Sequence, residues 1–189
     1  MTTATAMTGV GRYQTLTDDL ATWTAAAAVH VYFRSALSRA EIAAAIAAVI
    51  AAGNAAAVTL AALFVRAVLE ESAGDPVSAV GLPPVDGTER LTRAVATVLD
   101  DAAPESSAPM RVKRLARSEV LDAGQQAVTD IIATVPVVTG WRRVLDADPC
   151  ERCQRWAEDG RVFPKGHHFK RHYGCNCQAE IVTTKGTGS

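Results

Sequence analysis

Apolar residues recur every three or four positions along the first hundred residues, which is the spacing of one helix face. In the first such segment they are Leu20, Trp23, Ala27 and Val31. Thr17 and the two aspartates that follow it are typical of a helix start, because a side-chain cap and early acids favour the N-terminal turn. The pattern therefore predicts a first helix from about Thr17 to Phe33.

A second helix is predicted to begin at a capping box, Ser38-Arg39-Ala40-Glu41, with Ile42, Ile46, Val49 and Ile50 on its apolar face. Gly53-Asn54 predicts its end and the start of a third helix that reaches Glu70 or Glu71. Between Glu41 and Arg66, 24 residues carry no charge, which is the length of a membrane span. Half of them are alanine and Gly53 interrupts them, so we expect a soluble helix pair and no membrane contact.

Glycine and proline divide the rest of the chain. Two linkers are predicted, "SAGDPVSAVGLPPVDG" (72–87) and "PESSAP" (104–109), with a short helix around Leu91–Leu99 between them. A long helix then opens at Ser107 and Pro109, and its apolar positions keep a period near 3.6 as far as Ile131. Beyond Pro136 the pattern changes, and residues 137–147, 161–163 and 179–184 are predicted to form short strands.

These elements predict an α+β fold that is mainly α. We divide it into an Ala-rich helical region, residues 1–104, and a small zinc-knuckle-like α/β module, residues 105–189. Charge also differs along the chain: residues 1–140 hold ten Lys and Arg against fourteen Asp and Glu, and residues 141–189 hold nine against six. Only the second part therefore favours anionic partners. The N-terminus has no pattern typical of a secretion signal, so we expect synthesis in a reducing cytoplasm.

All four cysteines and three of the four histidines lie between residues 148 and 182. Cys150 and Cys153 form a C-x-x-C pair, and Cys175 and Cys177 form a second pair 21 residues later, with His172 three positions before it. Two close thiolate pairs can surround one ion, and zinc suits such soft ligands best. The sequence therefore predicts a structural zinc ion held by Cys150, Cys153 and Cys175, with either His172 or Cys177 as the fourth ligand.

Two other interpretations of this cluster are weaker. Two disulfides would be typical of a secreted protein, which the N-terminus does not indicate. The adjacent His167 and His168 near a metal knuckle suggest a nuclease of the HNH type, but that fold needs a further helix with His or Asn after the last cysteine, and the twelve residues after Cys177 contain neither. We therefore expect no catalysis and no small-molecule substrate, and we expect both histidines to be exposed loop residues.

The same region resembles the phage Mu F-like family of minor head proteins. The matching features, in order, are Ala116-Arg117-Ser118-Glu119 on the long helix, Trp141 on a strand, Asp146 or Asp148 before Cys150-x-x-Cys153, Gly160-Arg161-Val162-Phe163, and His172-Tyr173-Gly174-Cys175-Asn176-Cys177. The sequence departs from the pattern in four ways: Gly160 lies further from Cys153 than is usual, Ser118 replaces Thr, Tyr173 replaces Pro and Asn176 replaces Arg. The resemblance implies a non-catalytic virion component in head morphogenesis, assembled in the host cytoplasm and placed inside the capsid near the portal vertex, with the portal or other head proteins as partners.

Arg117 and Glu119 are expected to make structural salt bridges, because side chains two apart on a helix do not share a face. A second interpretation of the module is a zinc-knuckle domain that binds nucleic acid, including packaged DNA. Six basic residues near the cysteines would contact phosphates: Arg152, Arg155, Arg161, Lys165, Lys170 and Arg171.

Overall fold

The computed structural model describes residues 9–34, 36–73, 87–101 and 104–184. The described helices are α1 Gly9–Tyr32, α2 Arg39–Ala73, α3 Thr88–Asp100, α4 Ala108–Thr134 and α5 Glu151–Ala157, with 3₁₀ turns at Glu105–Ser107 and Glu158–Gly160. Three strands, β1 Val138–Val144, β2 Val162–Pro164 and β3 Gln178–Thr183, form an antiparallel sheet in the order β2-β1-β3. The fold is α+β and mainly α, as predicted from the sequence.

Helices α1, α2 and α4 pack against one another, and α3 packs on α2 and α4. One end of this bundle buries aliphatic side chains of all four helices, among them Ala28, Ile46, Ile50, Leu91, Val95 and Val112. The other end joins the bundle to the sheet through Phe64, Val65, Leu69, Ile131, Trp141, Phe163 and Ile181. Helix α4 contributes buried residues to both ends, so it packs against the Ala-rich helices and against the sheet. The boundary at residue 104 stays a prediction.

Helix α1 begins at Gly9, so the predicted start at Thr17 was wrong. Thr17 lies inside the helix, where its hydroxyl donates to the Tyr13 carbonyl oxygen at 3.0 Å, a bond that helical threonines make in place of capping. The buried face of α1 is formed by small and polar residues: Tyr13, Thr17, Ala21, Thr24, Ala25 and Ala28. The larger apolar side chains Leu16 and Trp23 are exposed, at 44% and 69%. This helix therefore presents an apolar stripe to solvent.

Helix α2 is continuous from Arg39 to Ala73, so the predicted break at Gly53-Asn54 was wrong. Gly53 allows a close helix crossing instead of ending a helix. A Cβ atom at this position would lie 2.7 Å from Thr24 Oγ1 on α1 and 2.9 Å from Val120 Cγ2 on α4. Such separations are shorter than van der Waals contact, so glycine is required where three helices meet.

Replacing Gly53 by valine is expected to lower the free energy of unfolding by about 1–3 kcal/mol, because the added side chain overpacks a site lined by two stiff β-branched residues. Urea denaturation followed by far-UV circular dichroism measures the change. The matched control is Gly9→Val, since nothing lies within 4 Å of a Cβ at Gly9. Equal stability of the two variants would contradict the close crossing.

Three other helix predictions are confirmed. The capping box is confirmed: the Glu41 carboxylate accepts from the Ser38 backbone N–H at 2.8 Å, and the Glu41 N–H donates to Ser38 Oγ at 3.3 Å. These bonds also lower the pKa of Glu41, with the Ser38 hydroxyl as the largest cause. Helix α3 and the long helix α4 are confirmed, α4 with proline in its first turn. Most of the first predicted linker, residues 74–86, lies outside the described residues.

Among the described residues, one helical segment, Arg39–Ser72, is long and apolar enough to cross a membrane by length and composition. A core helix of a soluble protein passes the same test. Helix α2 contacts α1, α3 and α4, which are the contacts of a core helix in a bundle. The absence of membrane contact stays a prediction.

The three predicted strands are confirmed, and they place the cysteine segments beside the bundle. Strand β1 is central and pairs Trp141 with Phe163 of β2 and with Ile181 of β3. Gly140 is required for the first pairing, because a Cβ there would lie 2.2 Å from the Phe163 carbonyl oxygen. Helix α5, which the sequence analysis did not predict, follows β1 and contains Cys153.

Candidate metal centre

The cysteine pairs lie on two segments that the sheet brings together. Cys150 is the N-cap of α5 in an extended conformation, and Cys153 lies in the first turn of that helix. Cys175 and Cys177 lie in the loop that leads into β3, and His172 precedes them. Cys153, Cys175 and Cys177 are buried, whereas Cys150 is exposed. The centre therefore sits at the edge of the module with one side accessible.

Five candidate ligands converge here, and Cys153 is shared by two groups. His172 Nε2 lies 2.9 Å from Cys153 Sγ and 3.3 Å from Cys150 Sγ. Cys153 Sγ also lies 3.4 Å from Cys175 Sγ, and Cys177 completes the second group. Within each group all ligand atoms lie within 4.8 Å of one another. The cluster that the sequence predicted could hold a metal ion.

The donor set fits zinc. In a tetrahedral site, Zn–S bonds of about 2.3 Å and Zn–N bonds of about 2.0 Å place two sulfurs about 3.8 Å apart and a sulfur and a nitrogen about 3.5 Å apart. The observed sulfur–sulfur separation of 3.4 Å and sulfur–nitrogen separations of 3.3 and 2.9 Å are shorter than these values, so the side chains would move apart by a few tenths of an ångström to admit the ion. A disulfide would require about 2.05 Å, and the four cysteines are free.

Burial and hydrogen bonds shift the pKa values of the four thiols in different directions. Burial raises the pKa of Cys153 to about 12. The bond between Cys175 and Cys177 raises the pKa of the Cys175 thiol and lowers that of Cys177 to about 6. The backbone N–H of Cys153 lowers the pKa of Cys150. A divalent cation favours the thiolate form of every cysteine ligand. Its positive charge would therefore stabilise thiolates even where burial raises the pKa of the thiol.

Polar residues of the bundle fix the second cysteine pair, and the sequence analysis missed them. Gln125 of α4, 2% exposed, donates to the carbonyl oxygens of Cys175 at 2.7 Å and Cys177 at 2.9 Å. Asn176, between the two cysteines, donates to the Gln14 carbonyl oxygen at 3.0 Å and accepts from Gln178 Nε2 at 3.0 Å. The available signal was polar residues at core-facing positions of α1 and α4. These bonds tie the centre to the helical bundle.

The six predicted phosphate-contacting residues have different surroundings. Two are tied to the α4 region: Lys165 donates to the Val135 carbonyl oxygen at 2.9 Å, and Arg171 donates to the Asp122 carbonyl oxygen at 3.0 Å. Arg152 and Arg161 lie over aromatic rings. Arg155 and Lys170 are exposed.

The other predicted groups are placed as follows. The salt bridges of the long helix are confirmed: Arg117 pairs with Asp18 of α1, and Glu119 pairs with Arg90 of α3 through two contacts of 2.9 and 2.5 Å. Both therefore join helices. His167 and His168 are exposed in the loop after β2, as expected. Gln178–Thr183, directly after Cys177, form β3.

One comparison with known proteins gives a match. A family model described as VG15 protein matches residues 1–188. Neither the curated proteins nor the solved structures searched include a match. The match covers both the Ala-rich helices and the cysteine module, so the two parts belong to one family unit.

Proposed function

Since this chain belongs to the VG15 protein family, a family of phage or viral proteins, we propose that it is a minor capsid protein that acts in phage head morphogenesis. A viral family places the protein in the virion or in the infected cell; within the virion, the proposed location is the capsid interior at the portal vertex. The observation that carries this proposal is the converging cluster of four cysteines and His172 behind a long helix, in the order of the Mu F-like pattern. The proposed role is structural, without catalysis or a small-molecule substrate.

We propose zinc as the bound metal, with Cys150, Cys153, Cys175 and His172 as ligands. His172 is preferred to Cys177 because its Nε2 faces two of the thiols while its Nδ1 lies 3.2 Å from the Tyr173 carbonyl oxygen. A ligating histidine usually donates its other ring N–H in this way. Cys177 instead accepts from the Asp146 backbone N–H at 3.4 Å. The ion would be structural and would join α5 to the loop before β3.

The proposed docking surface is a stripe of α1 with Leu16 and Trp23 exposed and Leu20 and Ala27 half-buried beside them. These positions recur at helical spacing. Leu20 also packs against the core that α1 shares with α2 and α4, so Leu16 and Trp23 are the side chains that offer most surface to a partner. Exposed aromatic residues in an apolar stripe are typical anchors of protein interfaces. The proposed partner is the portal or another head protein of the same phage.

Replacing Trp23 by serine is expected to weaken binding to the portal about thirtyfold, the loss typical of an interface hot spot worth about 2 kcal/mol. Co-purification of the two proteins from cells that express both, followed by titration of the purified pair, measures it. Met110→Ser is the matched control, because Met110 is 51% exposed on α4. If the portal binds wild type and the Trp23 variant equally, the stripe is not the docking surface; if it binds neither, the proposed partner is wrong.

A second candidate function is nucleic-acid binding by the module. Lys170 and Arg155 are exposed, and Arg152 and Arg161 lie over Trp156 and Phe163, at 5.9 and 5.3 Å from the ring centroids. Cations beside aromatic rings are typical of surfaces that contact phosphates and bases. This activity is compatible with a head protein that lies beside packaged DNA.

A further inference from the structure

Arg143 of strand β1 is a buried cation without an acidic partner. It is 4% exposed, on the same face of the strand as Trp141. Among the described residues it takes part in none of the seven ion pairs. A charge removed from water is costly unless it is paired, so buried arginines normally face a carboxylate or another anion. Arg143 therefore lacks the group that would offset its burial.

Its hydrogen-bonding groups are only partly used. One terminal nitrogen, Nη2, donates to the Lys170 carbonyl oxygen. Nε and Nη1 are buried and have no partner. The Cζ atom of the guanidinium lies over the Phe169 ring, 3.9 Å from its centroid, and 5.6 Å from that of Trp156. The guanidinium is therefore enclosed by aromatic rings that offer no hydrogen-bond acceptor of ordinary strength to Nε and Nη1.

A small cavity of about 10 Å³ lies beside this guanidinium. It is lined by Trp141, Arg143, Trp156, Glu158, Phe163, His167, His168 and Lys170. Its volume admits one atom the size of a water oxygen. Lys170 and His168 are exposed at its rim. The one acidic residue in the lining, Glu158, is already paired with Arg161 at 2.6 Å.

We infer that this cavity is an oxyanion site in which the unpaired Nε–H group of Arg143 donates to one oxygen of a phosphate group, while the rest of the phosphate lies at the rim beside Lys170 and His168. Phosphate is favoured over carboxylate because the unpaired charges around the cavity are cationic: Lys170 lies in its lining, and Arg152 lies over the Trp156 ring, which also lines it. Guanidinium groups bind phosphate oxygens through charge-assisted hydrogen bonds of this kind. The source of the phosphate is either the nucleic-acid backbone or the free ion.

The cysteine cluster does not provide a hydrogen-bond acceptor for the unpaired nitrogens of Arg143. The positive charge of Arg143 contributes to the lowered pKa of Cys177, after the larger effects of Cys175 and Asp146, so the two groups interact electrostatically. No hydrogen bond joins them, and Nε and Nη1 stay unpaired. The inference stands apart from the proposed docking on α1, because the two surfaces share no residue.

The first test uses the full chain, purified with its metal, and NMR detection of arginine Nε–H groups. Inorganic phosphate, but not sodium chloride at equal ionic strength, is expected to shift one protected Nε–H signal that is missing in Arg143→Lys. Phosphate affinity in that variant is expected to fall at least about tenfold, because lysine keeps the charge but has no N–H donor at the position of Nε. Arg142→Lys is the matched control, since Arg142 is exposed on the same strand and pairs with Glu180.

A second measurement identifies the source. If a short DNA duplex shifts the same signal, the phosphate belongs to nucleic acid, and Arg143→Met should lower the salt dependence of DNA binding by about one counterion. If only inorganic phosphate does so, the site takes the free ion. An Nε–H signal that phosphate leaves unchanged would overturn the inference in favour of a buried water, and a stronger response to acetate would overturn it in favour of a carboxylate from a partner protein. Near-UV circular dichroism of each variant separates lost binding from lost folding.

Discussion

Replacing Cys153 by serine is expected to remove the bound metal and to unfold the module around it. Cys153 is the residue that both ligand groups share, and its sulfur lies within 3.4 Å of both His172 Nε2 and Cys175 Sγ. Structural zinc sites contribute about 10–16 kcal/mol of apparent binding free energy at neutral pH, far more than a segment with one seven-residue helix gains from packing. Metal content by mass spectrometry and near-UV circular dichroism measure the loss.

The matched control is Cys177→Ser. Cys177 is also buried in the cluster but lies outside the proposed ligand set. This variant is expected to keep about one metal ion per chain. If it loses the metal while His172→Ala retains it, the fourth ligand is Cys177. If Cys153→Ser retains a full complement of metal with unchanged folding, the centre is not built around Cys153 and the ligand assignment is wrong.

Replacing Trp141 by alanine is expected to lower the free energy of unfolding by about 3–5 kcal/mol, the range for deletion of a large core aromatic residue. Trp141 is 2% exposed and lies between Phe163 and Phe169, with ring centroids 4.7 and 5.0 Å away. Its Nε1 also donates to the His167 carbonyl oxygen at 3.3 Å. Alanine would leave a cavity where the sheet meets the bundle. Urea denaturation monitored by circular dichroism measures the change.

Trp23→Ala is the control for this loss, because Trp23 is 69% exposed on α1. A surface substitution of this kind changes stability by no more than about 0.5 kcal/mol. A Trp141 variant as stable as the Trp23 variant would mean that the sheet does not share a core with the helices. Comparison of the two variants therefore distinguishes the packing role of Trp141 from the proposed docking role of Trp23.

Periodicity predicted the element types well and the element ends poorly. The strands and the long helix were identified because alternation of apolar residues, proline and capping residues are local signals. Gly53 shows where local signals fail. A glycine that ends a helix and a glycine that admits a neighbouring helix are identical in sequence, and only the positions of Thr24 and Val120 distinguish them. The exposed face of α1 could not be predicted either, because its buried face is formed largely by alanines and threonines, and its larger apolar residues suggested the opposite orientation.

In the candidate site, too, the residues with a local sequence signal were predicted and those that depend on distant partners were missed. The paired spacing of the cysteines and the position of His172 predicted the cluster, because ligands on short turns need few residues to converge. Gln125 and Asn176 were missed because their partners lie 50 or more positions away along the chain. Arg143 was missed because an arginine in a strand is ordinarily exposed, and its burial depends on Trp156 and Phe169, two aromatic residues outside that strand.

The measurement that tests the proposed role most directly is quantitative mass spectrometry of purified particles of the phage that encodes this chain, compared with the lysate of infected cells. A minor head protein predicts a few copies per particle, retained after nuclease treatment and recovered with the portal when heads are dissociated. A chain that is abundant in the lysate but missing from purified particles would contradict a virion role and would place the protein among those that act only in the infected cell.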